Sequence, residues 1–231
     1  MNSKREPSSF AGKVIDFYST LDLKLPKELH IDILNPYQNT AVLNCVNEFF
    51  KKYFNDQRKR IYLLGINPGR FGGGITGISF TDPVALREIC GIENDLGKKR
   101  ELSSEFIYRV IDGLGGPEKF YHNFFLSAVC PLGFIKGAVN YNYYDDKRLQ
   151  EAVLPFIQKT FLEQIKIGAQ PDILICIGTG KNKKFIEQLN GESKFFKKII
   201  SLEHPRFIMQ YRRKRLMEYI DLYIQTLGKF T

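Results

Sequence analysis

Residues 65–80 read Gly65-Ile66-Asn67-Pro68-Gly69-Arg70-Phe71-Gly72-Gly73-Gly74-Ile75-Thr76-Gly77-Ile78-Ser79-Phe80. They follow an apolar run, residues 61–64, which predicts a buried β-strand. Six of the 13 residues from 65 to 77 are glycine, which has no Cβ and lets a backbone approach a ligand closely. The segment also carries one amide, Asn67, and two phenyl rings, Phe71 and Phe80. It therefore predicts a pocket for a flat, polar ring.

The composition predicts a globular domain with a basic surface. The chain has 231 residues, of which 43% are hydrophobic and 13% aromatic. Its net charge of +9 favours nucleic acid or an acidic surface as partner, although a generally basic soluble protein fits the charge equally well. Between Lys194 and Arg215 there are eight Lys or Arg and one acid, Glu203. This concentration favours nucleic acid.

The termini and the cysteines carry further expectations. The first seven residues are polar, and no window approaches 18 continuous apolar residues. We therefore expect a cytoplasmic protein (nucleoid-associated in a bacterium) with no membrane partner, and a monomer. The four cysteines are far apart in sequence, which matches neither a C-x-x-C pair nor a zinc-ribbon spacing. We expect reduced cysteines, no metal and no cofactor.

The order of predicted elements indicates an α/β fold. Helical spacing covers residues 10–21, 39–54, 103–114, 147–167, 178–189 and 211–227, whereas apolar runs predict strands at 61–64, 124–129, 173–177 and 197–202. The alternation predicts a single three-layer α/β/α domain, residues 9–231, around a central, mainly parallel four-stranded sheet. Residues 1–8 are predicted to be a flexible tail.

Four residues each follow a predicted strand, namely Asn67, Pro131, Gly178 and His204. In parallel sheets ligands bind beyond the carboxyl ends of the strands. We therefore expect these four residues to lie at one edge of the sheet.

Three segments resemble the uracil-DNA glycosylases, in particular the single-strand-selective monofunctional (SMUG) family. The pattern G-I-N-P-G-x-F-G-x-x-x-T-G-I-x-F in residues 65–80 resembles the first active-site motif of that family. A strand followed by His204-Pro205 and basic residues resembles the second motif, in which the family usually has His-Pro-Ser-Pro-Arg. Cys130-Pro131-Leu132 after a strand resembles the segment that reads the base.

The resemblance implies a role for each matched residue. Asn67 would hold the water that attacks C1′ of deoxyribose, and His204 would donate to the base oxygen as negative charge develops there. Phe80 would stack on the flipped base, and Gly69 would leave room near C5 of a pyrimidine. The residues expected to bind the base are Gly65, Ile66, Gly69, Phe71, Phe80, Ser127 and Ala128.

Two departures from the family pattern concern the pocket. Arg70 stands where a proline is usual, and Ala128 stands where the family carries an asparagine that reads the edge of uracil. A site without that amide loses strong discrimination for one base. The candidates to replace it are Asn123, Ser127, Asn140 and Asn142. The preferred base stays open.

The segment after His204-Pro205, residues 206–215, has two interpretations. It is either a solvated basic helix start or a DNA-binding loop, and its position after the second motif favours the loop. Basic residues would then hold phosphates, and an apolar residue would wedge into the base stack. The phosphate-binding candidates are Arg206, Arg212, Arg213, Lys214 and Arg215, and the wedge candidates are Phe207, Ile208 and Met209.

Together these features predict a monofunctional DNA glycosylase of base excision repair. It would hydrolyse the N-glycosidic bond of a flipped uracil, or of a modified or deaminated base, in single- or double-stranded DNA and leave an abasic site. One alternative is a DNA-binding protein with this fold and weak or no catalysis, which Ala128 favours. Another is a nucleotide hydrolase using the Gly178-Thr179-Gly180-Lys181 turn, but that turn lacks the complete phosphate-loop pattern.

Overall fold

A computed structural model describes residues 9–231, except for the side chain of Glu192. The predicted tail, residues 1–8, lies outside the described residues. The strands are β1 (Asp32–Leu34), β2 (Arg60–Gly65), β3 (Phe124–Ala128), β4 (Gly133–Lys136), β5 (Val139–Tyr141), β6 (Ala169–Ile177) and β7 (Lys198–Leu202). The α-helices are α1 (Phe10–Ser19), α2 (Thr40–Phe54), α3 (Gly73–Thr76), α4 (Pro83–Glu88), α5 (Leu102–Gly113), α6 (Pro117–Asn123), α7 (Lys147–Gly168), α8 (Lys181–Ser193), α9 (Pro205–Tyr211) and α10 (Leu216–Leu227).

The central sheet confirms the predicted fold class. Its strand order is β3-β2-β6-β7, and all three neighbouring pairs are parallel. Every residue of β2 and β3 is buried, as expected for strands covered on both faces. Helices flank the sheet, with α1 packed on α2 and α7, and α5 packed on α9 and α10. The four predicted strands and the first five predicted helices are present, with ends shifted by at most four residues.

A second, smaller sheet was not predicted. It has the order β1-β4-β5 and both of its pairings are antiparallel. Its strands are three or four residues long, too short for their alternation to stand out from loop sequence. At Gly133 in β4, a Cβ would lie 2.3 Å from the carbonyl oxygen of Pro68. Because glycine is present, the small sheet packs directly against the loop that follows β2.

The C-terminal region differs from the prediction of a basic loop followed by one helix over residues 211–227. The residues directly after His204 form α9, because Pro205 occupies its first position and His204 Nδ1 accepts from the Arg206 N–H at 3.2 Å. The backbone leaves the helical conformation at Arg212, and a 3₁₀ turn, Arg213–Arg215, leads into α10. The basic segment is therefore mostly helical and ordered by its own cap.

A buried cation joins the start of β2 to the helices beside it. The Arg60 side chain is fully buried and donates to both carboxylate oxygens of Asp56, at 2.8 and 2.9 Å. It also donates to the Tyr121 carbonyl at 2.8 Å and lies 4.7 Å from the ring centroids of Phe10 and Phe54. Arginine suits this place because its planar group forms paired hydrogen bonds and stacks on rings.

We expect Asp56→Ala to destabilise the fold by about 3 kcal/mol, because it leaves a buried guanidinium without its counter-ion. The Asp56 side chain is itself 34% exposed, so water compensates part of the loss. The control is Asp172→Ala, which removes the carboxylate of the exposed pair with Lys197 and should cost far less, because solvent screens that pair. Urea denaturation measures both, and equal losses would contradict this account of Arg60.

Candidate active site

The carboxyl ends of β2 and β3 open onto a cavity of about 330 Å³, at the lower end of the range for small-molecule sites. Both predicted catalytic residues, Asn67 and His204, lie on its wall. The predicted base-binding residues that line it are Gly65, Ile66, Gly69, Phe80 and Ala128. The fold therefore brings together residues from three separated segments, as the sequence predicts.

The loop after β2 is held by its own side chains. The Thr76 hydroxyl donates to the Thr81 carbonyl at 2.7 Å and accepts from the Ile78 N–H at 3.1 Å. Gly77 has a φ of +72°, and a Cβ there would lie 2.8 Å from Val46. Thr76 and Gly77 of the first motif thus fix the turn that leads to Phe80.

The Phe80 ring lies directly against the end of β2. A Cβ on Gly65 would lie 2.7 and 2.9 Å from two atoms of the Phe80 ring, so only glycine allows this close approach. Phe80 itself has a φ of +56°, an uncommon conformation for a residue with a side chain. Such strain is typical of sites where the surrounding structure dictates a side-chain position. The ring lies 5.9 Å from that of His204, between centroids.

The side chain of Asn67 is held from both ends by the backbone that follows β4. Its Nδ2 donates to the Tyr141 carbonyl at 3.1 Å, and its Oδ1 accepts from the Tyr143 N–H at 3.1 Å. These two bonds fix which end of the amide is oxygen. One N–H and one oxygen lone pair are left over for a ligand or a water molecule in the cavity.

His204 has a defined tautomer. Its Nδ1 accepts from the Arg206 N–H, so the proton of the neutral ring is on Nε2. Burial of the ring, and secondarily the nearby Arg206 charge, lowers the pKa of His204 to about 4. The ring is therefore neutral at physiological pH and offers the cavity an N–H donor. A neutral donor can stabilise negative charge that develops on a ligand.

Two predicted base-binding residues lie elsewhere. Ser127 is buried on the other face of β3, where its hydroxyl donates to Gln164 Oε1 at 2.5 Å and lies 3.3 Å from the Tyr18 hydroxyl. Side chains alternate along a strand, so Ser127 and the cavity-lining Ala128 cannot share a face. Phe71 lies outside the cavity, beneath the Arg70 guanidinium at 4.5 Å. We correct both expectations accordingly.

The basic segment presents one face to the cavity and another to the core. Arg206 and Phe207 line the cavity. Ile208 and Met209 are 0% and 3% exposed, so the structure corrects their assignment as DNA-contacting residues. The turn of α9 forces this division, because consecutive residues point in different directions around a helix. Phe207 is thus the one predicted wedge candidate left at the surface.

The exposed cations of this segment are not equivalent. Arg212 lies over the Phe207 ring at 5.1 Å, and Arg213 and Lys214 are exposed. Arg215 donates twice to Glu218, at 2.7 and 2.9 Å. Part of its charge is therefore already neutralised within the protein, and it is the weakest of the predicted phosphate contacts.

Sequence reasoning missed several cavity residues. They are Tyr144 after β5, Glu101 at the cap of α5, and Gln210 and Tyr211 at the end of α9. Asn140 and Asn142, two of the four candidates for the missing amide, line the cavity as well. The polar and aromatic composition of residues 140–144 is a signal for a ligand site, but its position could not be read without the small sheet. Tyr211 is 67% exposed, and its ring lies 5.5 Å from that of Phe207.

Within residues 9–231, no group of three or more His, Cys, Asp or Glu has a metal-binding arrangement. No helix in the same range is long and apolar enough to cross a membrane. The four cysteines are all buried and free.

Known proteins match both this sequence and this structure. A sequence model of the uracil DNA glycosylase superfamily matches residues 51–228. The chain belongs to the uracil-DNA glycosylase superfamily. Within it, the crystal structure of wild-type SMUG2 from Pedobacter heparinus is similar, with a TM-score of 0.90 and 46% sequence identity over 96% of this chain and 97% of that chain. The superfamily assignment and the SMUG-like character predicted from the motifs are therefore confirmed.

We expect His204 to stay neutral, protonated on Nε2, down to about pH 5. Its folded pKa lies below the ordinary value of 6.5, so the unfolded chain binds more protons between these values. The stability contributed by the neutral ring is full above pH 6.5 and is lost as pH falls towards 4. Nitrogen NMR of labelled histidine, assigned with His204→Ala, measures the tautomer directly. An imidazolium signal from His204 at about pH 6 would contradict the assignment.

Proposed function

We propose that this protein is a monofunctional DNA glycosylase that excises uracil, or a modified or deaminated base, from DNA. The observation that carries the proposal is the convergence of the clamped Asn67 amide and the neutral His204 donor on one cavity that also contains the Phe80 ring. Membership of the superfamily supports DNA as the substrate. Asn67, Phe80 and His204 match the family motifs in both position and chemistry.

The proposed reaction is a displacement by water at C1′ of the deoxyribose. The target nucleotide is turned out of the DNA stack, and its base enters the cavity against the Phe80 ring. A new bond forms between the water oxygen and C1′, while the electron pair of the N-glycosidic bond leaves with the base. The proton released by the water balances the negative charge of the departing base. The products are the free base and an abasic site.

Each polar residue has a task that fits its hydrogen bonds. The Asn67 oxygen keeps one lone pair that can orient the attacking water, because its other lone pair is held by Tyr143. His204 Nε2 donates to the base oxygen on which charge accumulates. Neither residue has to be a strong base, since the sugar gains positive character before the water bond is complete.

We propose that DNA binds to the exposed side of α9 and to the turn after it. Arg206, Arg212, Arg213 and Lys214 are exposed, and they would neutralise phosphates on either side of the extruded nucleotide. Phe207 lies at the cavity wall between them. It is the proposed wedge that fills the place left in the stack.

We expect Asn67→Ala and His204→Ala each to lower single-turnover excision by roughly ten- to a thousand-fold, because each removes one preorganised polar group. The assay uses oligonucleotides with uracil, hydroxymethyluracil, hypoxanthine or xanthine, in excess EDTA, followed by alkaline cleavage of abasic sites. Asn123→Ala and His122→Ala are matched controls. They change the same residue types near the start of β3, the end of that strand farthest from the cavity.

Three results would contradict the proposal. If chelation abolishes activity and a divalent metal restores it, the water mechanism is wrong. If Asn67→Ala and His204→Ala cleave as fast as their controls, the site is wrong. If the parental protein binds DNA but releases no base from the panel, it is instead a DNA-binding protein that has kept the glycosylase fold.

We expect Phe207→Ala to slow excision from duplex DNA more than from single strands, because only the duplex must be unstacked and unpaired before flipping. Its side chain is half-buried and packed by Tyr211 and Arg212, so the melting temperature should change little. Leu162→Ala, at a 38% exposed apolar residue of α7, is the control for stability. Equal losses on both substrates, with a large fall in melting temperature, would make Phe207 a structural residue.

A further inference from the structure

We propose that Asn140 reads the extruded base, with its Nδ2 group donating to a carbonyl oxygen of that base. This inference rests on the proposed function and deepens it, since it assigns the base-reading amide that Ala128 lacks. Asn140 is in the middle of β5, in the small sheet, and it lines the same cavity as Ala128 and His204. Asn140 lies outside the three segments that resemble the glycosylase motifs.

The structure decides between the four candidates for this task. Asn123 is half-buried and donates to the Lys119 carbonyl, at the far end of β3. Ser127 faces Gln164 in the core. Asn142 lines the cavity, but within the described part of the chain no hydrogen bond fixes its side-chain amide. Only Asn140 combines a place on the cavity wall with a fixed amide orientation.

The orientation comes from the glycine-rich loop. Asn140 Oδ1 accepts from the Arg70 N–H at 3.0 Å, so the other end of the amide must be the NH₂ group. A Cβ on Gly69 would lie 3.3 Å from this Nδ2, and Gly69 and Asn140 both line the cavity. Among the described residues, no acceptor engages either N–H of that group. Two donors are thus available to a ligand.

The donors select a chemical class of base. Asn140 Nδ2 and His204 Nε2 both donate, so the site matches a base whose facing edge carries carbonyl oxygens. An exocyclic amino group, as in cytosine or adenine, would place a donor against a donor. Because a buried polar group without a partner is costly, a site of this kind rejects the mismatched base.

The test is Asn140→Asp, which keeps an oxygen for the Arg70 N–H and replaces the NH₂ by a second oxygen. Excision of uracil is measured in single turnover with saturating protein, and saturation is checked by binding to DNA with a tetrahydrofuran abasic analogue. At about pH 7.5 we expect the variant to be roughly ten- to a hundred-fold slower than the control Asn123→Asp. Both variants carry the same chemical change.

A second readout separates base reading from a structural role. When pH falls towards about 4.5, roughly a fifth of a carboxyl with the ordinary Asp pKa of about 3.9 is protonated and offers one O–H donor, so the deficit of Asn140→Asp relative to the parental protein should shrink. A parental protein that excises uracil while Asn140→Asp equals its control would overturn this inference alone. A deficit that does not shrink at low pH would also overturn it. A parental protein that excises no base would remove the proposed function and this inference together.

Discussion

The site depends on the two hydrogen bonds that hold the Asn67 side chain to the backbone at Tyr141 and Tyr143. They join the loop that leaves the central sheet to the chain that leaves the small sheet. A third bond, from the Arg70 N–H to Asn140, joins the same two segments a few residues away. The cavity therefore lies where the two sheets meet, and neither sheet alone would orient Asn67 and Asn140. His204 is oriented separately, by the Arg206 N–H at the start of α9. Fixing them before a ligand arrives lowers the ordering cost of binding and of reaction.

The sequence predicts the part of the cavity that the central sheet forms. Asn67 and His204 follow long or strongly apolar strands, so their shared edge can be inferred from the rule for parallel sheets. Asn140 could not be placed, because β4 and β5 are four and three residues long and join through a tight turn. The sequence also does not predict that α9 has one face on the cavity and another in the core. A basic stretch with scattered apolar residues resembles a loop until the His204-Pro205 cap is recognised as a helix start.

Arg206 links the chemistry of the pocket to the electrostatics of the surface. Its backbone N–H fixes the tautomer of His204, and its exposed charge adds to burial in keeping that ring neutral. The same charge favours phosphates nearby. The basic surface around Arg206 therefore also suppresses the imidazolium form, so the donor that His204 offers to the cavity stays a neutral N–H. A neutral donor loses less solvation energy on entering a dry cavity than a cation does.

In the proposed function, affinity for DNA and choice of base come from different parts of the molecule. Phosphate contacts act on every DNA sequence alike, so the exposed cations after His204 can give affinity but no selection. The stacking surface of Phe80 is equally tolerant, because every base has a flat face. Selection of one base must therefore come from hydrogen-bonding groups on the cavity wall. Ala128 contributes only a methyl group to that wall. In the proposed base reading by Asn140, that task falls to the small sheet, where the loop that carries Asn67 sets the orientation of Asn140. Base choice and water placement would thus be held by one set of hydrogen bonds, and a change in that loop would disturb both.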